Sequence, residues 1–97
     1  MNKEIKIKIE HDGKVISEKQ VNLKVLNLED EADLKDLYIN HYYDVQGNNV
    51  TTKMHRKALD VIRLITNYSD DEIREFSDEE RFQLFRIIGA ELFEKKN

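Results

Sequence analysis

The chain has no cysteine, no proline and no tryptophan, and only three glycines among its 97 residues. Without cysteine there are no disulfides, thiolate zinc sites, iron–sulfur clusters or thiol nucleophiles. Three glycines cannot build a phosphate-cradling loop or a dinucleotide fingerprint, and the sequence shows neither, nor a Gly-x-Ser-x-Gly elbow. No run approaches eighteen consecutive apolar residues, so the sequence predicts no transmembrane span. Met1-Asn2-Lys3-Glu4 alternates charge where a signal peptide would be basic and then apolar, and a cytoplasmic protein is expected. What is present is 39% apolar and 37% charged residues, enough for one domain over residues 1–97 with a modest core.

The net charge of −4 is laid out in blocks. Residues 1–24 carry +2, residues 27–45 carry −5, residues 53–63 carry +3, residues 69–80 carry −6, and the remainder from Arg81 carries +2. None of the basic stretches interleaves aromatics as a strand-tracking nucleic-acid surface does, so no nucleic acid is expected as partner. The blocks read as complementary solvated faces of one domain, or as acidic surfaces that attract a basic partner.

Residues 4–10, Glu-Ile-Lys-Ile-Lys-Ile-Glu, alternate strictly and predict a strand with Ile5, Ile7 and Ile9 on its buried face. Asp12-Gly13 then predicts a tight hairpin turn into a second strand from about Lys14 to Leu23. In that strand Val15, Val21 and Leu23 share a parity while Ile16 has the other. Either a bulge shifts the register near Ser17 or Ile16 sits on the open face. A lone ribbon is marginally stable, so its isoleucine face must lie on the rest of the chain.

From Asn27 the pattern turns helical. Asn27 predicts an N-cap, Glu29 and Asp30 suit the first turn, and a helix to about Tyr43 would place Leu34, Leu37, Tyr38, Ile39 and Tyr42 on a broad face. Gln46-Gly47-Asn48-Asn49 reads as the loop that ends it. From near Thr52, the residues Met54, Ala58, Val61, Ile62, Ile65 and Tyr68 form one apolar stripe, with Leu59 off it. Ser69-Asp-Asp-Glu72 and Ser77-Asp-Glu-Glu80 are two capping boxes. The first opens a short helix with Ile73 and Phe76. The second opens a long helix to about Lys95 that buries Phe82, Phe85, Ile88, Leu92 and Phe93. Gly89 shares that face and permits a close contact, Leu84 flanks it, and Ile87 lies off it. The expected fold is α+β: an N-terminal β-hairpin over 4–23, then a small bundle of three to four α-helices over 28–95.

No catalytic residues, cofactor site or metal site are expected. His11, His41 and His55 are scattered, and the acid clusters at 70–72 and 78–80 are explained by capping. The oxygen-bearing run Asp44–Asn49 has its glycine at the fourth position, where a calcium loop needs it at the sixth. The residues left over are apolar. Leu59 and Ile87 lie off their helix faces, and Tyr42 and Tyr43 cannot both point inward. With the hairpin's open face, these four are the candidate protein-binding or self-association residues.

The order of elements carries a resemblance. A Lys/Ile-rich hairpin, Ile-Lys-Ile-Lys-Ile-Glu-His-Asp-Gly-Lys, precedes an acidic helical body that ends in a long helix opened by Phe-Ser-Asp-Glu-Glu. The segment Val61-Ile-Arg-Leu-Ile-Thr-Asn-Tyr-Ser-Asp-Asp-Glu-Ile73 lies between them. This layout resembles the tail assembly chaperones of long-tailed phages and prophages of Gram-positive bacteria, a family without a catalytic signature. The chain departs from the family in lacking a Phe-rich segment after the second strand, and residues 40–52 match no part of it. Its closing Lys95-Lys96-Asn97 is a sequence that an A-rich slippery heptamer would encode, in keeping with the frameshifted longer forms of that family. The resemblance implies a bacterial cytoplasmic protein without a cofactor. It would coat the tape measure protein during assembly, keep it soluble and recruit tail-tube subunits. The alternative from the charge blocks is a small acidic regulator or inhibitor that covers a basic, nucleic-acid-binding protein surface. A third reading is a structural module with no partner of its own.

Overall fold

A computed structural model describes residues 4–47 and 53–93. Strands β1 (Glu4–His11) and β2 (Lys14–Asn22) form an antiparallel hairpin. The helices α1 (Leu28–Gln46), α2 (Met54–Ile65), α3 (Asp70–Arg74) and α4 (Asp78–Phe93) follow. The fold is α+β, a two-stranded hairpin on a small helical body.

The Asp12-Gly13 turn takes positive φ at both positions, 54° and 78°, as a hairpin that matches the strands' right-handed twist requires. The pairing runs Ile9 with Ser17 and then Glu10 with Val15, so Ile16 is the extra residue of a bulge. Both sequence alternatives therefore hold, because the bulge lies beside Ser17 and Ile16 is 62% exposed. The bulge also turns Val15 out of the inner face. That face of β2 then presents Ser17, Lys19 and Val21 opposite Ile9, Ile7 and Ile5. Only Val21 of the three is apolar, which leaves two polar side chains to satisfy against the helical body.

The isoleucine face lies on α4, and α2 packs chiefly against α4. Ile7, Val21, Ala58, Val61, Ile62, Ile65, Leu84, Phe85 and Ile88 make the centre of one continuous core. Leu84, expected at its flank, is fully buried, whereas Phe82 and Leu92 are half-buried against it. The side chain of Phe93 and the helix end expected at Lys95 lie outside the described residues, as do Asn48, Asn49 and Thr52. Leu23 and Leu26 anchor the link between hairpin and helices, and the Lys24 N–H donates to the Ile65 carbonyl (2.9 Å).

The Asn27 side chain accepts from the Asp30 N–H (2.7 Å) and starts α1 where expected, but the helix runs on to Gln46. Gly47 closes it at φ −87°, outside the left-handed region. α2 begins after Lys53, which is left-handed (φ 58°) and makes no side-chain cap. The helix ends at Ile65, short of the stripe's last member. Tyr68 lies beyond it and accepts from the Asn22 N–H (3.0 Å), tying the hairpin to the helices. Both capping boxes are formed, reciprocally between Ser69 and Glu72 and between Ser77 and Glu80. The close contact expected at Gly89 is made by Tyr38: a Cβ on Gly89 would stand 2.8 Å from the ring's Cε1.

Candidate functional site

α1 is apolar on two sides. Its inner side buries Leu34 and Tyr38, with Leu37 and His41 half-buried beside them. The Tyr38 ring stacks on Phe85 with centroids 4.6 Å apart, and its hydroxyl donates to the Phe85 carbonyl. Burial pushes that phenol far above the ordinary tyrosine range, so it remains a neutral donor.

On the outer side Leu28, Ala32, Lys35, Ile39, Tyr42 and Gln46 follow one another at intervals of four and three residues, and all six are exposed. Leu28 is 83% exposed, Ile39 43%, Tyr42 60% and the neighbouring Tyr43 68%. The Tyr42 and Tyr43 rings meet edge to face at 6.0 Å. Alternating steps of four and three are the spacing of a coiled-coil seam, here facing solvent.

The four candidate binding residues thus divide into two kinds. Tyr42 and Tyr43 are on the surface. Leu59 and Ile87, expected off their helix faces, are half-buried and pack against the core. A helix enclosed on more than one side has no clean outer face, and α2 and α4 pack against each other as well as against α1 or the hairpin. The hairpin's open face is also not apolar. It carries Glu4, Lys6, Lys8 and Glu10, and its exposed apolar residues are Val15 and Ile16 at the tip. Ile39 and Tyr42, expected on the packed face of α1, belong to the outer stripe. The signal that finds that stripe is the 28-32-35-39-42-46 spacing, which was masked by the apolar residues of the inner side.

The two acidic blocks are used differently. Between 69 and 80, Asp70 pairs with Arg63 (2.9 Å), Asp71 with Arg74 (2.6 Å), and Asp78 with Arg81 (3.5 Å) and His55 (3.8 Å). Glu79 meets His11 (3.3 Å), and Glu72 closes its capping box. On α1, Glu29, Asp30, Glu31, Asp33 and Asp36 form no ion pair among the described residues. Asp44 alone is paired, with Lys57 at 2.5 Å.

Of two polar clusters, one is built on a buried carboxylate and the other is half-buried. Glu80 is 3% exposed. It accepts from the Ser77 N–H (2.7 Å) and the Ser17 hydroxyl, and it stands 3.4 Å from the Lys19 ammonium. Burial raises its pKa, but the hydrogen bonds and the Lys19 charge outweigh burial and hold it below the ordinary glutamate range. Lys19 also donates to the Glu75 carbonyl and lies 4.8 Å over the Phe76 ring. This cluster satisfies the two polar residues that the bulge leaves on the inner hairpin face. It was invisible in the sequence because it joins residues sixty-three positions apart. The depression next to it, lined by Lys19, Gln20, Tyr68, Glu72, Glu75 and Phe76, is open and shallow, with Lys19 lying across the Phe76 ring. The second cluster is His41, whose Nδ1 is 3.3 Å from Lys57 and whose ring meets Phe85 edge-on at 5.0 Å. Burial and then the Lys57 charge lower its pKa, against the opposing pull of Asp44.

Among the described residues no three His, Asp or Glu side chains converge to hold a metal ion, and no helix is long and apolar enough to cross a membrane. No protein-family model, curated protein or solved structure matches the chain. The class that the fold and this face define is an α+β domain whose first helix exposes Leu28, Ile39, Tyr42 and Tyr43 to solvent.

Proposed function

We propose that this chain is a non-enzymatic protein-binding protein that acts as a tail assembly chaperone, covering the tape measure protein and recruiting tail-tube subunits. The observation that carries the reading is the outer face of α1. Ile39, Tyr42 and Tyr43 are exposed together, and aromatic residues in such a patch are the usual anchors of a protein interface. The layout of hairpin and capped helices, which resembles that chaperone family, supports the choice of partner. The test is whether a long coiled-coil protein is encoded just downstream and, with that protein, co-expression. A soluble complex, and loss of that protein's solubility when the chain is omitted, support the reading. Unrelated neighbouring genes, or a tape measure protein equally soluble alone, overturn it.

The alternative is a regulator that covers a basic nucleic-acid-binding surface, and the five acids of α1 that lack an ion-pair partner among the described residues favour it. Salt separates the two. Affinity resting on charge collapses between low and moderate ionic strength, whereas affinity resting on apolar burial largely survives.

A further inference from the structure

We infer that the outer face of α1 is a docking seam for a single amphipathic helix with basic flanks, presented by a partner protein. The inference rests on the protein-binding reading above and adds the partner's chemistry and the place where it sits. Three observations converge on it.

The first is spacing. Leu28, Ala32, Lys35, Ile39, Tyr42 and Gln46 keep the four-three alternation over five steps, all exposed. A straight helix surface with that repeat is matched by another helix whose apolar residues repeat in the same way, with side chains of each filling gaps of the other. A strand or a compact loop has no such period.

The second is charge. Glu29 and Asp36 border the seam on one side and Glu31 on the other, with Asp33 next to the first pair. Residues 28–43 carry net −4, with Lys35 the single cation. None of these acids has an ion-pair partner among the described residues. Cations at the bordering positions of an incoming helix would meet them, which is how such positions select partners.

The third observation decides against a second copy of this chain. Two α1 helices laid along this seam, parallel or antiparallel, bring acidic borders against acidic borders, and juxtaposed like charges disfavour the pairing. A heterologous basic helix has no such conflict. Lys35 lies within the seam, where a lone charged residue fixes register. The partner helix therefore carries one acidic or polar residue opposite it.

The experiment uses the full chain and two synthetic helical peptides of three heptads, each with leucine and isoleucine along its seam. One carries lysine at all bordering positions and the other glutamate. Binding is followed by fluorescence anisotropy, and the site is mapped by amide chemical-shift changes. The lysine peptide is expected to bind with shifts confined to α1, and the glutamate peptide not to bind. The double variant Ile39→Ala/Tyr42→Ala should weaken the lysine peptide about tenfold or more. Glu29→Lys/Asp36→Lys should weaken it and admit the glutamate peptide. All four side chains are exposed, so each variant should still unfold cooperatively near the parent's Tm, the first-turn anion lost at Glu29 being set against the like-charge pair relieved at Asp36. Equal binding of both peptides, shifts centred on another element, or dimerisation of the chain through α1 overturns the proposal. If the seam binds the lysine peptide but the tape measure protein does not bind the chain, the chaperone reading fails and the seam stands. If the tape measure protein binds and the Ile39/Tyr42 double variant binds it equally, the seam fails and the chaperone reading stands.

Discussion

Two capping boxes of the same sequence type, Ser-x-x-Glu, sit in unlike surroundings, and substituting their glutamates measures what the buried cluster adds. Glu72 of the first box is exposed, whereas Glu80 of the second is 3% exposed. Each accepts from its serine's N–H, at 2.8 Å and 2.7 Å respectively, so the capping contribution is nearly the same in both. Losing one side of an exposed box costs about 0.5–1 kcal/mol, since water replaces the lost acceptor. Glu72→Ala should cost that much. Glu80→Ala loses the same bond, strands the Ser17 hydroxyl on the inner face of the hairpin and removes the charge partner of Lys19, which keeps the Glu75 carbonyl and the Phe76 ring. A buried polar group left without a partner costs about 1–3 kcal/mol, although Lys19 is partly exposed and recovers some hydration. Glu80→Ala should therefore cost about 2–3 kcal/mol, well above Glu72→Ala. Urea unfolding followed by circular dichroism at pH 7 measures both. The sign of the pH effect follows from the lowered pKa of Glu80. Its contribution is full above the unfolded value of about 4.3 and is lost as pH falls through the folded value. The gap between parent and Glu80→Gln should accordingly close in acid. Equal costs for Glu72→Ala and Glu80→Ala would refute the reasoning, because the hairpin would then gain nothing from the buried carboxylate.

Two further perturbations test other contacts. Gly89→Ala adds roughly 1 kcal/mol of helix propensity but drives a methyl to 2.8 Å from a Tyr38 ring that is stacked on Phe85 and tethered by its hydroxyl. Overpacking of about 1–3 kcal/mol should win, lowering Tm by about 4–8 °C, and a raised Tm would show that the ring moves aside freely. His41, shielded by burial and repelled by Lys57, should titrate below about 6.5 by proton NMR and move upward in Lys57→Gln. Because its folded pKa is depressed, its effect is to lose stability as pH falls from about 6.5 through the folded value. Titration at or above the ordinary histidine value would contradict the geometry of that cluster.

The hairpin, the two serine-capped helices and the closeness at Gly89 were legible because each is written in local sequence: strict alternation, Asp-Gly, Ser-x-x-Glu, and a glycine on an apolar face. The partners of those features were not. Nothing near Gly89 announces Tyr38, and nothing near Ser17 announces Glu80, since tertiary contacts across fifty to sixty-three residues leave no period behind. The choice between a bulge and an open-face Ile16 stayed open for a related reason, because one inserted residue produces both. Leu59 and Ile87 lie off the main stripes and are half-buried against the core. Where a helix is enclosed on several sides, a residue off the main stripe still meets the core.

α1 shows the converse, and its charges carry the final step. Glu29, Asp30 and Glu31 occupy the first turn after the Asn27 cap, where the helix dipole favours anions, so local stability accounts for them. Asp33 and Asp36 lie beyond that turn and gain nothing from the dipole. They stand in like-charge pairs at three- and four-residue spacing, Glu29 with Asp33, Asp30 with Asp33, and Asp33 with Asp36. Each such pair destabilises a helix by about 0.2–0.5 kcal/mol. Asp36 stands one turn before exposed Ile39 on the same side of the helix, without an ion-pair partner among the described residues, and core packing alone gives no reason for a charge there. A partner helix that brings a cation to Asp36 recovers that loss while covering the aromatic surface. Asp36→Asn should thus stabilise the free chain slightly while weakening the lysine peptide, whereas Asp33→Asn, away from the seam, should stabilise the chain and leave the peptide's affinity unchanged. Opposite signs in the two assays are what separate a docking face from a merely solvated one.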